Sequence, residues 1–250
     1  MLKKILFTLI GLFYLGGAQG VVSASAAEKT IFFASDATWP PMEFLNDKKE
    51  IVGYSIDYIK AAGKEAGFTP VIKNTAWDGI FAGLAAGKYD AITSSVSITD
   101  KRKKAMDFSD PYFTVRQAVI VNKASEIKGV DGLKGKKIGG QIGTTGYFTI
   151  KNIEGAEAKS YDEVGLAIED LNIGRLDAVI CDDPVAANYA LVKYKETLKI
   201  VEVIESGEVE HYGFAVRKGD KETLDLINKG VAAVKAKGID KELVKKWIGR

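Results

Sequence analysis

Two ten-residue stretches carry almost the same pattern, and together they hold the chain to a repeated α/β plan. Gly83-Leu84-Ala85-Ala86-Gly87-Lys88-Tyr89-Asp90-Ala91-Ile92 is the first, and Leu171-Asn172-Ile173-Gly174-Arg175-Leu176-Asp177-Ala178-Val179-Ile180 is the second. Each reads as a helix end, a stopping glycine, a basic residue, and Asp-Ala entering a short buried strand. The two aspartates stand 87 residues apart, which fits two similar lobes and not a solenoid of short repeats. Polar residues follow both strands: Ser94-Ser95-Val96-Ser97 after the first, Asp182-Asp183-Pro184 after the second. Ligands of open α/β sheets bind beyond the carboxyl ends of strands, so these runs predict a cleft lined by both lobes.

The first 26 residues are set apart from the rest. Lys3-Lys4, an apolar run over residues 5–15 and Val22-Ser23-Ala24-Ser25-Ala26-Ala27 make the charged, apolar and small-residue order of a secretory signal. A membrane anchor is the alternative, but the run falls short of the ~20 residues a span needs. The single cysteine, Cys181, lies deep in the chain, which leaves no N-terminal thiol for a lipid anchor and no internal disulfide. A soluble exported (periplasmic) protein is expected. Removing Lys3 and Lys4 takes the net charge from +2 to about zero. With no basic run interleaved with aromatics, nucleic acid is not an expected partner. One histidine, His211, and one cysteine disfavour a zinc or iron site; no metal or cofactor is expected.

The mature chain alternates strands and helices. A strand at residues 31–34, a helix from about residue 55 ended by Gly67, a strand at 71–72, a helix over 77–86 and a strand at 90–94 predict a parallel sheet covered by helices. A basic helix is expected over 100–106. The pattern restarts with a strand at 137–141, the turn Gly143-Thr144-Thr145-Gly146, a helix and a weak strand near 156–160. The helix 164–172, the strand 177–181, the helix 184–194 and the strand 198–204 follow. A strand over 212–217 and two amphipathic helices close the chain. The β-rich runs near 115–120 and 209–214 are the expected crossovers. The division is therefore lobe 1 at 27–115 plus 212–250 and lobe 2 at 116–211. Two connections permit hinge bending while limiting rotation; a single continuous sheet is the alternative.

Three groups of residues carry chemistry. Gly143-Thr144-Thr145-Gly146 opens a helix, where free N–H groups and the helix dipole favour an anion. Its glycine spacing is not that of a dinucleotide fold, so a carboxylate fits better. Ser94, Ser95, Ser97, Thr99 and Arg102 occupy the matching place in lobe 1. Arginine clamps a carboxylate bidentately where lysine cannot; the alternative is that Thr99 only caps a helix and Arg102 is solvated. Asp182 or Asp183 would pair with an ammonium group, or both would only cap the helix that Pro184 starts. Trp39 and Trp77 are candidate faces for a bound side chain, or ordinary packing residues.

These pieces in their order resemble the family 3 periplasmic solute-binding proteins of ABC importers, the polar amino-acid binders. The matching motifs are Asp36-Ala37-Thr38-Trp39-Pro40-Pro41-Met42-Glu43-Phe44, Val52-Gly53-Tyr54-Ser55-Ile56-Asp57 and Trp77-Asp78-Gly79-Ile80. They continue with Asp90-Ala91, Ser97-Ile98-Thr99-Asp100-Lys101-Arg102, Phe108-Ser109-Asp110-Pro111-Tyr112, Gly143-Thr144-Thr145 and Asp182-Asp183-Pro184-Val185. The resemblance implies a two-lobe α/β fold with a sheet flanked by helices in each lobe and a two-strand hinge. It implies a monomer that binds a free amino acid and delivers it to a membrane permease. Arg102 would grip the α-carboxylate with the N–H groups of Ser97 and Thr145, and Asp182 and Ser95 would hold the α-ammonium. Trp39 and Trp77 would sandwich the side chain, with Asp36 and Glu43 at its far end. Ser94, Thr144 and Gln141 complete the expected ligand-binding set. Met42, Gln141 and Cys181 depart from the family pattern and are expected to tune the side chain accepted. Asp36, Glu43 and two tryptophans favour arginine, lysine or histidine, with glutamine next. An enzyme resembling the periplasmic cyclohexadienyl dehydratases is the alternative; it would need a general acid in the cleft.

Overall fold

A computed structural model describes residues 29–205 and 209–249, so the expected signal segment 1–26 lies outside the described residues. The described residues open on β1 (Lys29–Ser35), and a small antiparallel sheet follows from β2 (Thr38–Trp39), β3 (Glu43–Leu45) and β4 (Ile51–Val52). Helix α1 (Tyr54–Ala66) puts Ile56, Ile59, Ala62 and Ala66 on its buried side, and Gly67 stops it in the left-handed conformation, donating to Gly63 O. Strand β5 (Phe68–Asn74), helix α2 (Ile80–Ala85), strand β6 (Ala91–Ile92), helix α3 (Asp100–Lys103) and strand β7 (Met106–Phe108) complete this stretch.

Strand β8 (Phe113–Val115) leaves the first sheet, and β9 (Gln117–Asn122) enters the second. The second region continues with β10 (Lys137–Gln141), α4 (Thr145–Asn152), β11 (Glu157–Tyr161), α5 (Val164–Asn172) and β12 (Ala178–Asp182). Helix α6 (Asp183–Ala187), a π-helical turn over Asn188–Lys193 and β13 (Leu198–Val203) finish it. Strand β14 (Glu210–Tyr212) pairs antiparallel with β8 in a two-stranded ribbon, and β15 (Ala215–Arg217) rejoins the first sheet. Helices α7 (Lys221–Ala236) and α8 (Ile239–Trp247) cover that sheet's helix α1.

The two sheets follow one plan. Their strand orders are β5-β1-β6-β15-β7 and β11-β10-β12-β9-β13. Each has a parallel trio, with the first strand in the centre. Each then adds antiparallel strands beside the third member. The fold is the expected two-lobe α/β architecture, although the sheets are mixed and not wholly parallel. The antiparallel strands β9 and β15 are the continuations of the ribbon, so the geometry of the crossover dictates their direction. Aromatic rings pack behind the ribbon, with Tyr112 stacked on Phe214 at 4.3 Å and Phe113 on Tyr212 at 5.8 Å.

Several element limits differ from the sequence expectation, each for a local reason. The expected helix 77–86 starts only at Ile80, because Gly79 takes φ 83° and resets the chain after Trp77. The basic helix stops at Lys103, since Met106–Phe108 pairs with β15. The run near 115–120 is divided at Arg116 between ribbon and second sheet, and the strand expected over 212–217 is broken at Gly213-Phe214. The helix expected over 184–194 becomes π-helical from Asn188.

Candidate functional site

The carboxyl ends of the two parallel trios point at one cavity between the lobes. All twelve residues of the expected set line it: Asp36, Trp39, Glu43, Trp77, Ser94, Ser95, Ser97 and Arg102 from one side, and Gln141, Thr144, Thr145 and Asp182 from the other. About 310 Å³ among these residues is not filled by protein atoms, a volume that includes space open to solvent. Met42 and Cys181 are buried but are not among its lining residues; of the three departures from the family pattern, only Gln141 reaches it.

Local structure explains how each side chain arrives. Glu43 is fully buried, and its backbone runs against Gly53, where a Cβ would sit 2.2 Å from Met42 O at φ +132°, so only glycine fits. Ser95 holds φ 47°, a strained conformation for a non-glycine residue, and its hydroxyl donates to Glu43 Oε2 at 2.9 Å. Ser94 Oγ accepts the Asp36 N–H at 2.9 Å, which ties the ends of β1 and β6 together. Thr99 caps α3 by accepting the Arg102 N–H at 3.2 Å, so the capping role holds. Arg102 nevertheless points inward, donating to Ser97 O at 2.8 Å and to Gly143 O at 3.1 Å across the cleft. Its guanidinium carbon lies 5.5 Å from the Trp77 ring centre and 5.1 Å from that of Phe81, a cation–π arrangement.

On the opposite wall, Thr144 caps α4 by accepting the Tyr147 N–H at 3.2 Å, while its hydroxyl donates to Gln141 O at 2.7 Å. The first-turn amides of α4 have no acceptor within the helix. Asp182 occupies the cap position of α6 without a side-chain cap bond. Asp183 instead accepts the Arg116 N–H at 3.1 Å. The two aspartates therefore separate, one into the cavity and one onto the backbone. The lobes also touch through Gln141 Nε2, which donates to Asp36 Oδ2 at 2.9 Å and to Asp162 O at 2.7 Å.

Charge sets the chemistry of the site. Three carboxyl groups face one guanidinium. Burial pushes the Asp36 carboxyl up, against the bonds from Gln141 and Thr38. Burial pushes Glu43 well above the usual carboxylate range, against the bonds from Ser55 and Ser95. Asp182 is raised to about 7 by burial first and by nearby Glu210 second. Burial also lowers Arg102 to about 10, which leaves it charged at neutral pH. The partners of these carboxyls are neutral. Asp36 is held by Thr38 and Gln141, and Asp182 by Gln117 Nε2 at 2.7 Å and by the Tyr212 hydroxyl. Glu43 Oε1 is buried with no hydrogen-bond partner. An arrangement of this kind attracts an anion at Arg102 and cationic donors at the carboxyls. Among the described residues, no group of three or more His, Cys, Asp or Glu side chains is placed to hold a metal ion.

Residue-by-residue reading of the sequence missed Gln117, Tyr212 and Glu210, the polar shell around Asp182. Gln117 had one signal, a lone polar residue opening the apolar strand Ala118-Val119-Ile120-Val121. Tyr212 and Glu210 had none, because their importance comes from the ribbon pairing.

Residues 31–250 match the family of bacterial extracellular solute-binding proteins, family 3. The chain belongs to this family. A probable histidine-binding protein of Neisseria gonorrhoeae is 34% identical, over 94% of this chain and 90% of that one. The ABC transporter arginine-binding protein 1 of Escherichia coli is 35% identical, over 99% of each. The solved structure of an ancestral arginine-binding protein bound to arginine superposes with a TM-score of 0.83 at 38% identity, covering 89% of this chain and 99% of that one. As a family 3 member the protein is an extracellular binding protein and not an enzyme. Among the described residues, no helix is long and apolar enough to cross a membrane.

Proposed function

We propose that this protein is the amino-acid-binding component of an ABC importer and closes on a free cationic L-amino acid, with arginine, lysine and histidine preferred and glutamine next. The observation that carries the preference is charge: three buried carboxyl groups face one arginine in a cavity between two lobes. A zwitterion matches Arg102 and Asp182 but adds no net charge, whereas a cationic side chain offsets the remaining acidic groups. The family and the named ligands of its relatives support the same class.

In this reading Arg102 meets the α-carboxylate. Two of its N–H groups go to carbonyls, and a guanidinium has five. Ser97 and the first turn of α4 at Thr144 and Thr145 assist. Asp182 takes the α-ammonium. Trp39 and Trp77 flank the side chain, and its charged end lies near Glu43, whose Oε1 lacks a donor, with Asp36 and Gln141 beside it. Ser94 and Ser95 act through their bonds to Asp36 and Glu43. The lobes divide at the β8–β14 ribbon, 27–115 plus 212–250 against 116–211. Opening about that ribbon admits the ligand. The protein works as a periplasmic monomer after signal removal and hands its ligand to a membrane permease.

Isothermal titration calorimetry against the twenty amino acids tests the reading. Binding of one or more of arginine, lysine and histidine, tighter than any neutral amino acid, is the expected result. A preference for an acidic or aliphatic amino acid would overturn it.

A further inference from the structure

Gln117 is the junction of a polar cluster that reaches beyond the cavity to the ribbon. It lies opposite Asp182 in the antiparallel pairing of β9 with β12. Its Nε2 is 2.7 Å from Asp182 Oδ1, 3.0 Å from Glu210 Oε1 and 3.1 Å from Thr145 Oγ1. A carboxamide has two N–H hydrogens, so three acceptors compete for two donors. Glu210 Oε2 and Gln117 Oε1 are both buried with no hydrogen-bond partner. Glu210 and Tyr212 sit two residues apart on β14 and so share a face. The Tyr212 hydroxyl donates to the second oxygen of Asp182.

Two carboxyl groups thus draw on neutral donors alone within this cluster. The charged and titratable groups around it can be named. Arg102 from α3 interacts with Asp182, Glu210 and Tyr212. Glu43 from β3 interacts with Asp182, Cys181 and Asp183 flank it in sequence, and Arg116 and Glu205 line a crevice with Glu210. Like charges that share a buried site raise the proton affinity of one of them. Burial, followed by Glu210, pushes Asp182 up to about 7.

We propose that Glu210, tied to Asp182 through Gln117, makes the protein give up a proton from Asp182 when the ligand's ammonium arrives, so that capture is linked to pH. This rests on the reading in which Asp182 meets that ammonium. The step is an exchange. The Asp182 O–H proton leaves to the buffer, the carboxylate pairs with the incoming ammonium, and no bond to carbon changes. Glu210 is a positioning residue here, acting through Asp182 without touching the ligand.

The test is calorimetric titration with L-arginine, L-lysine and L-histidine in phosphate and in bis-tris propane at equal pH, where the difference in heat counts the protons released. With its carboxyl raised to about 7, Asp182 should release most of a proton at pH 6 and little at pH 8, and affinity should fall up to tenfold per pH unit below 7. Glu43 and Asp36 contribute to the total, so the Glu210→Gln difference carries the proposal. Burial remains in that variant, so it should release measurably less proton at pH 6 and move the pH profile to lower pH, while Glu210→Asp restores both. Equal release in wild type and Glu210→Gln, or none in wild type, would overturn the proposal.

Carbon-13 carboxyl NMR of the unliganded wild type gives an independent reading that needs no Glu210 variant. A resonance absent from Asp182→Asn should titrate near pH 7 and stop titrating when ligand is bound. Its absence would also overturn the proposal. Failure to bind any of the three amino acids would remove the functional reading and this proposal together. Binding without proton release would remove the proposal alone.

Discussion

The two Asp-Ala repeats perform one structural task and then part company. Asp90 donates its N–H to Phe32 O at 2.9 Å, and its Oδ2 accepts the Phe32 N–H at 3.0 Å. Asp177 does the same with Lys137, at 2.9 Å and 2.8 Å. In each sheet the aspartate fastens the entry of the third parallel strand to the first. One strand beyond, the copies differ. The first ends in Thr93-Ser94-Ser95 and leads to Arg102, while the second ends in Asp182 against Gln117 and Tyr212. The repeated residue builds the lobes, and the unlike residues after it give the cleft its two opposite charges.

Substitutions can break that contrast, in descending order of effect. Arg102→Ala should be the most damaging, because it leaves a ligand carboxylate unpaired in a buried site. A loss of about 4 kcal/mol, roughly a thousandfold in Kd by calorimetry, is expected. Asp182→Asn keeps the shape and removes the charge, so about 2–3 kcal/mol of binding should go.

The same Asp182→Asn change should move unliganded stability the other way. Asp182 is held at about 7 in the folded chain, above its ordinary 3.8. Its contribution to stability is therefore present below about pH 4 and is lost as pH rises through about 7. Thermal melts of the unliganded wild type should weaken across that window, and the asparagine variant should weaken less.

Glu43→Gln sharpens the contrast at the far end of the cavity. Affinity for a cationic amino acid should fall about tenfold, while that for glutamine changes little. Asp90→Ala and Asp177→Ala complete the series. Each should cost about 1 kcal/mol of stability in denaturant melts and leave the Kd within about twofold.

The lobes were legible because their signals are local. Gly67 stops α1, Thr99 caps α3, the turn at Gly143-Thr144-Thr145-Gly146 opens α4, and the strand Lys137–Gln141 and the helix Val164–Asn172 lie where sequence alone puts them. The twelve expected residues converge on one cavity because most follow strand ends, where the topology of the sheets gathers them. Less was legible where pairing between distant segments decides the outcome. The division of 113–122 between ribbon and second sheet depends on β14, about 90 residues later. The same long-range pairing brings Tyr212 and Glu210 to Asp182, and no periodicity near residue 210 announces it. Nor does the sequence show that the hydroxyl of Ser95 is engaged by Glu43, since that bond joins residues 52 apart in sequence.

One thermodynamic cycle bears most directly on the claim that the two copies carry opposite charges to opposite ends of an amino acid. L-arginine and agmatine differ by the α-carboxylate alone, and each can be titrated calorimetrically into wild type and Arg102→Ala. Arginine should lose about 4 kcal/mol in the variant and agmatine under about 1 kcal/mol, a coupling of about 3 kcal/mol. Equal losses for the two ligands would show that Arg102 does not hold the carboxylate, and would contradict the account.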